Sequence, residues 1–120
     1  WYTHIPFQWA CSKRVVDIIQ PDIQWVGGMT TCMKIASVAD AAGISVIPHG
    51  GGGTAFGQHF SIASGCAPLA EYFVGSSPGV PLEELPGIPG VVIPRDGYVT
   101  PSNAPGFGME IKEEWLRPFF

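Results

Sequence analysis

The sequence predicts an α/β fold of successive parallel strand–helix units, and three observations carry that prediction. Two short β-branched runs bracket a stretch of helical periodicity. Both runs end at a proline followed by a side chain that can carry charge, Pro21-Asp22 and Pro48-His49. Prolines are sparse between residues 8 and 49 and crowd residues 78 to 108, so regular structure is expected first and loops last.

Residues 15–20 and 44–47 are almost continuously apolar, the pattern of parallel strands buried on both faces. Between them, Cys32, Ile35, Ala36 and Ala39 recur on one helical stripe. Thr30 or Thr31 is placed to cap the start of this helix, and Gly43 stands where a left-handed glycine ends one. Strand, helix and strand in that order make one βαβ unit with a right-handed crossover. Residues 5 to 14 read as the end of an earlier helix. A further helix is expected from about residue 56 to 65, then a third strand around residues 70–74. Units of this length suit either a (β/α)8 barrel or a doubly wound sheet. The organisation divides into an α/β part, residues 1–77, and a loop-rich tail, residues 78–120.

Composition narrows the function classes. Only 13% of the 120 residues are charged against 46% hydrophobic, and the net charge is −4 with six Lys and Arg. So few cations cannot make the basic patch a nucleic-acid partner needs. No apolar run approaches the ~18 residues that span a bilayer, and no signal-peptide layout opens the chain. Cys11, Cys32 and Cys66 are odd in number, far apart and without metal-finger spacing, so free thiols in a reducing cytoplasm are expected. Low charge and the aromatic tail from Trp115 to Phe120 favour packing against a partner surface and homo-oligomer formation. Trp1-Tyr2 opens the chain as if mid-sentence, and we expect the sequence to be a piece of a longer one.

The candidate chemistry lies in position. Asp22, His49 and Glu71 each fall at or near the end or start of an expected strand, 27 and 22 residues apart, about one strand–helix unit each time. Equivalent points on successive parallel strands are neighbours at the C-terminal face, where active sites of such folds sit. A carboxylate beside an imidazole fixes its tautomer and raises its basicity, as a proton-abstracting base requires. The competing readings are plain ones: Asp22 as a turn or helix cap, and His49 as a structural histidine. Glu71 lies within its strand pattern rather than clearly at its end. His59 reads as a helix-flank residue, and His4 carries no pattern.

The run of four glycines, residues 50–53, with Thr54 and Ala55 fits G-x-G-x-x-A between a strand and a helix, and Glu71 follows about 20 residues on. That outlines a dinucleotide turn and keeps a nicotinamide-dependent oxidoreductase as an alternative. Glycines that let the backbone pass close to a substrate or metal shell are the simpler reading.

Four segments carry a family resemblance: Ile18-Ile19-Gln20-Pro21-Asp22, Trp25-Val26-Gly27-Gly28-Met29-Thr30, Ile47-Pro48-His49-Gly50 and Ala70-Glu71-Tyr72-Phe73. In this order they resemble the sixth to eighth strands of enolase-superfamily barrels, in the mandelate-racemase subgroup. Pro105-Gly106-Phe107-Gly108-Met109-Glu110 is similar to the segment that closes such barrels and returns to a capping domain. The likeness extends over nearly all of residues 5 to 118.

The resemblance implies the C-terminal portion of a (β/α)8 TIM-type barrel plus a tail. It implies acid-sugar dehydration assisted by Mg²⁺, with a small acid sugar as substrate. His49 would be the general base, Asp22 its hydrogen-bonded partner, and Glu71 the acid that meets the substrate carboxylate as it becomes an enediolate. The three Mg²⁺-binding carboxylates would lie upstream of Trp1, so these residues alone would be inactive. The remaining alternative is a truncated barrel acting only as an assembly element.

Overall fold

The computed structural model describes residues 1–85 and 87–118. Five regular elements follow in order: α1 (Ile5–Lys13), β1 (Ile18–Ile19), α2 (Gly28–Ala41), β2 (Ser45–Val46) and α3 (Ala55–Ala63). The two strands pair in parallel, Ile18 with Ser45 and Ile19 with Val46, so the fold is α/β with α2 as the crossover between neighbouring strands.

Helix α2 forms where the apolar stripe predicts it, and Cys32, Ile35, Ala36 and Ala39 are its buried residues. Its end is a Schellman turn. Gly43 takes φ +66°, its N–H donates to Asp40 O, and the Ile44 N–H reaches back to Ala39 O. Its start differs from the expected threonine cap. Gly27, at φ +111°, is the N-cap, and the Thr31 hydroxyl donates to the Gly27 carbonyl instead. The reason lies upstream: Asp22 O already accepts from Trp25 N and Val26 N, so the chain has coiled into a turn that runs straight into the helix.

Helix α1 begins with Pro6 in its first turn and ends at Arg14 in the left-handed region, whose guanidinium donates to Ala42 O at the far end of α2. Phe7 and Cys11 from α1 meet Ile19, Ile23, Val26, Ile35, Ile44, Val46 and Phe60 in one core.

The strands are shorter than the apolar runs that announced them, and two expectations are corrected. Val15, Val16 and Ile18 are exposed rather than buried on both faces, and only Ile18 and Ile19 of that run pair as a strand. The third strand expected at residues 70–74 is absent among the described residues. That segment meets β2 through one bond, Val46 N to Cys66 O, and then gives the Glu71 carbonyl to Gly52 N rather than to a ladder. Pro68, which has no N–H, removes a donor between those two contacts.

Beyond residue 78 the described chain forms short 3-10 turns at Leu82–Glu84 and Glu113–Trp115 and an isolated bridge between Arg95 and Tyr98. Phe107 packs edge-on against Phe56 and lies against the His59 ring, which makes His59 a packing residue of α3.

All three cysteines are free thiols, Cys11 and Cys32 buried. Burial, with a smaller contribution from the Asp22 charge, pushes the Cys32 thiol up from 9.0 to about 12. The unfolded thiol ionises near 9 and the folded one does not. The stability it contributes is therefore full below pH 9 and lost as pH rises toward 12. In the full-length protein, the urea midpoint should fall more steeply above pH 9 for the wild type than for Cys32→Ala. Parallel curves would contradict this.

Candidate active site

Asp22 and His49 come together because the two parallel segments stay in register past their strands. Ile47 N donates to Ile19 O at 3.0 Å, and His49 N donates to Pro21 O at 3.1 Å. Pro21 and Pro48, both fully buried, stiffen the chain just before each side chain leaves it. The Asp22 and His49 side chains then meet, with His49 Nδ1 3.1 Å from Asp22 Oδ2.

The carboxylate serves two purposes, one with each oxygen. Oδ1 accepts from Gln24 N at 2.9 Å and Trp25 N at 3.3 Å, closing the turn toward α2, while Oδ2 is left for the imidazole. The turn cap and the hydrogen bond to His49 are thus both made by one side chain. With the carboxylate ionised, Nδ1 carries the proton and Nε2 is a free acceptor, a tautomer assigned from this hydrogen bond. The His49 side chain is 64% exposed and that of Asp22 only 29%, so the partner is sheltered and the ring is reachable.

Two clefts adjoin the pair. One, of about 170 Å³, runs between the Asp22 turn and the glycine turn beneath Phe56. The other, of about 410 Å³, is walled by Trp1, Tyr2, Phe7 and Trp25, with Trp25 stacked on Tyr2 at 6.1 Å.

Glu71 is brought to the same loop without touching His49. Its Oε2 accepts from Gly50 N, the residue after the histidine, at 2.7 Å, and its carbonyl accepts from Gly52 N at 2.7 Å. It therefore anchors the loop that carries His49.

The glycines are explained by this crowding. Gly51–Gly53 form a 3-10 turn, entered through Gly50 at φ +60°. A Cβ on Gly51 would lie 2.5 Å from Pro48 Cγ, and one on Gly52 would lie 2.8 Å from the Glu71 carbonyl oxygen. Gly51 and Gly52 allow close approach of protein to protein, not of backbone to a ligand as the sequence suggested. The dinucleotide reading fails on the same turn, because its donors are taken. Gly50 N and Gly52 N go to Glu71, Gly51 N to Pro48 O and Gly53 N to Gly50 O, so no N–H of these four remains for a pyrophosphate.

Gly52→Ala is accordingly expected to push the Glu71 segment away and lose about 1–3 kcal/mol of stability. Urea unfolding of the full-length protein reads this directly. An unchanged midpoint would mean that the turn is looser than described.

One participant escaped the sequence reading. Gln58 is buried and donates to Gly52 O and Val92 O, fastening both the glycine turn and the tail to α3. Its setting in an apolar helix that follows the four glycines was the available signal. Thr54, by contrast, caps α3 in the ordinary way, its hydroxyl accepting from Gly57 N.

Among the described residues no group of three or more His, Cys, Asp or Glu side chains could hold a metal ion, and no helix is long and apolar enough to cross a membrane. Asp22 holds His49 and its own turn, and Glu71 holds Gly50.

Residues 1–115 match the enolase C-terminal domain-like family. The chain belongs to that family. It fits the mandelate-racemase subgroup of the enolase superfamily. A protein of Caldivirga maquilingensis with the provisional name L-rhamnonate dehydratase is 43% identical over 107 residues, 87% of this chain and 26% of that protein. The crystal structure of L-rhamnonate dehydratase from Gibberella zeae superposes with a TM-score of 0.79 at 33% identity, covering 94% of this chain and 29% of that one. The Gibberella zeae enzyme complexed with Mg matches equally, with a TM-score of 0.79 and 33% identity over 94% of this chain and 28% of that one. The enolase-family chain described here thus spans about a quarter of the length of the curated relative it matches.

Proposed function

We propose that this enolase-family chain is the part of an acid-sugar dehydratase that carries the proton-abstracting base, with β1 and β2 as the sixth and seventh strands of a (β/α)8 barrel and residues 66–75 in the place of the eighth. The observation that carries the reading is the His49–Asp22 pair, held at 3.1 Å with one ring nitrogen turned to solvent. Its dehydratase relatives in sequence and structure support the class of reaction. An L-rhamnonate-like acid sugar is the substrate class we assign.

In this reading His49 Nε2 takes the proton α to the substrate carboxylate, leaving an enediolate. Asp22 keeps the ring oriented and favours the imidazolium that forms. The bond from the β-carbon to its hydroxyl oxygen then breaks, and the departing hydroxide takes the proton back from Nε2 and leaves as water. The enol that remains becomes the 2-keto-3-deoxy acid, and His49 is reset. Glu71 meets the substrate carboxylate with the carboxyl oxygen not given to Gly50. Mg²⁺ would be held by residues beyond those of this sequence and would supply positive charge beside the enediolate.

The test is a panel of acid sugars incubated with the full-length protein and Mg²⁺, assayed for 2-keto-3-deoxy acid. In deuterium oxide, the product should carry one deuterium at C3, where the enol takes up a solvent proton. No product from any acid sugar, or a product whose C3 carries the substrate's α-hydrogen and no deuterium, would reject the proposal.

A further inference from the structure

We infer that Gln58 is a positioning residue for the reaction at His49, acting through the glycine turn; the inference rests on the dehydratase reading above. Gln58 is 3% exposed, and the other buried residues of its helix are Ala55, Gly57 and Phe60. A side-chain amide buried so deeply must have its hydrogens bonded. Both are: Nε2 donates to Gly52 O at 2.8 Å and to Val92 O at 2.6 Å. Both partners are carbonyl oxygens, so the amide nitrogen and not its oxygen must face them.

The first of these bonds completes a clamp. Gly52 N donates to the Glu71 carbonyl and Gly52 O accepts from Gln58, so this residue is held at both its backbone polar groups. Two residues earlier, Gly50 N is held by the Glu71 carboxylate. The backbone leading out of His49 is therefore fixed by Glu71 on one side and Gln58 on the other. Glycine backbone without such holds ranges widely, and the imidazole next to it would range with it. The second bond brings the tail to the same point, since Val92 lies 34 residues further along the chain.

An apolar residue at 58 would fill the space in α3 but leave both carbonyls without their donor. The role is thus separable from packing. Phe60, buried on the same helix, supplies the control because it lies in the hydrophobic core.

The experiment compares Gln58→Leu and Phe60→Leu in the full-length holoenzyme, by steady-state kinetics and by amide hydrogen exchange. Gln58→Leu should lower kcat at least about tenfold with KM within about threefold, as a displaced catalytic group does. Peptides covering residues 50–57 should exchange at least about tenfold faster. Phe60→Leu should lower the unfolding midpoint while leaving kcat and that exchange within about twofold of the wild type. A Gln58→Leu enzyme with wild-type kcat, or with the same kinetic and exchange profile as Phe60→Leu, overturns the positioning role. A wild type that dehydrates no acid sugar rejects the dehydratase reading instead, and unchanged exchange in Gln58→Leu then rejects the clamp as well.

Discussion

His49→Asn in the full-length enzyme is expected to reduce dehydration by at least about 10²–10⁴-fold, the range a positioned general base contributes. The asparagine amide lies close to the position of the imidazole Nδ1 and can still donate to Asp22 Oδ2, so the turn around Asp22 keeps its partner. What it lacks is any atom at the position of Nε2. The histidine side chain is 64% exposed, so little packing is lost, and stability should stay within about 0.5 kcal/mol of the wild type. Product formation and thermal unfolding measured on the same preparation separate the two effects. A well-folded His49→Asn enzyme retaining a tenth of wild-type turnover would remove His49 from the chemistry.

Asp22→Asn should cost about 10⁴-fold in kcat, by analogy with other His–Asp pairs. The asparagine Oδ1 can keep the bonds from Gln24 N and Trp25 N, so the turn into α2 survives. In place of Oδ2, an amide N–H faces His49 Nδ1. That nitrogen must then become the acceptor, the proton moves to Nε2, and the ring turns its wrong tautomer toward the substrate. Asp22→Ala makes the informative contrast, since it also removes the turn cap and should lose a further ~1 kcal/mol of stability. A fall in kcat with KM nearly unchanged is the expected signature of Asp22→Asn. An Asp22→Asn enzyme as active as the wild type would show that the 3.1 Å contact only stabilises the turn.

The two predictions draw on the part of the molecule that was easiest to read. Asp22 and His49 each follow a proline at the end of an apolar run, and parallel pairing turns that shared position into adjacency. Glu71 was legible as a member of the same group, but its hold on Gly50 N was not. That contact depends on how a segment without strand structure crosses a glycine turn. The glycines themselves fitted a dinucleotide signature. The N–H groups of residues 50–53 are already bonded, two of them to Glu71, and a residue pattern does not reveal hydrogen bonding. Gln58 was missed for a related reason: its partners are backbone carbonyls, 6 and 34 residues away, which any residue type supplies.

The order of helices and strands, the buried stripe of α2, its glycine stop and the placing of Asp22 and His49 at strand ends all follow from local periodicity and turn chemistry, which act between residues close along the chain. The lengths of the strands, the loss of the third one and the clamp on residues 50–53 do not. Each depends on which distant backbone group takes a given N–H or carbonyl, and that choice is made when the segments pack. The pairing of Asp22 with His49 therefore begins as a shared sequence position, but it becomes a 3.1 Å hydrogen bond through the register of two parallel strands.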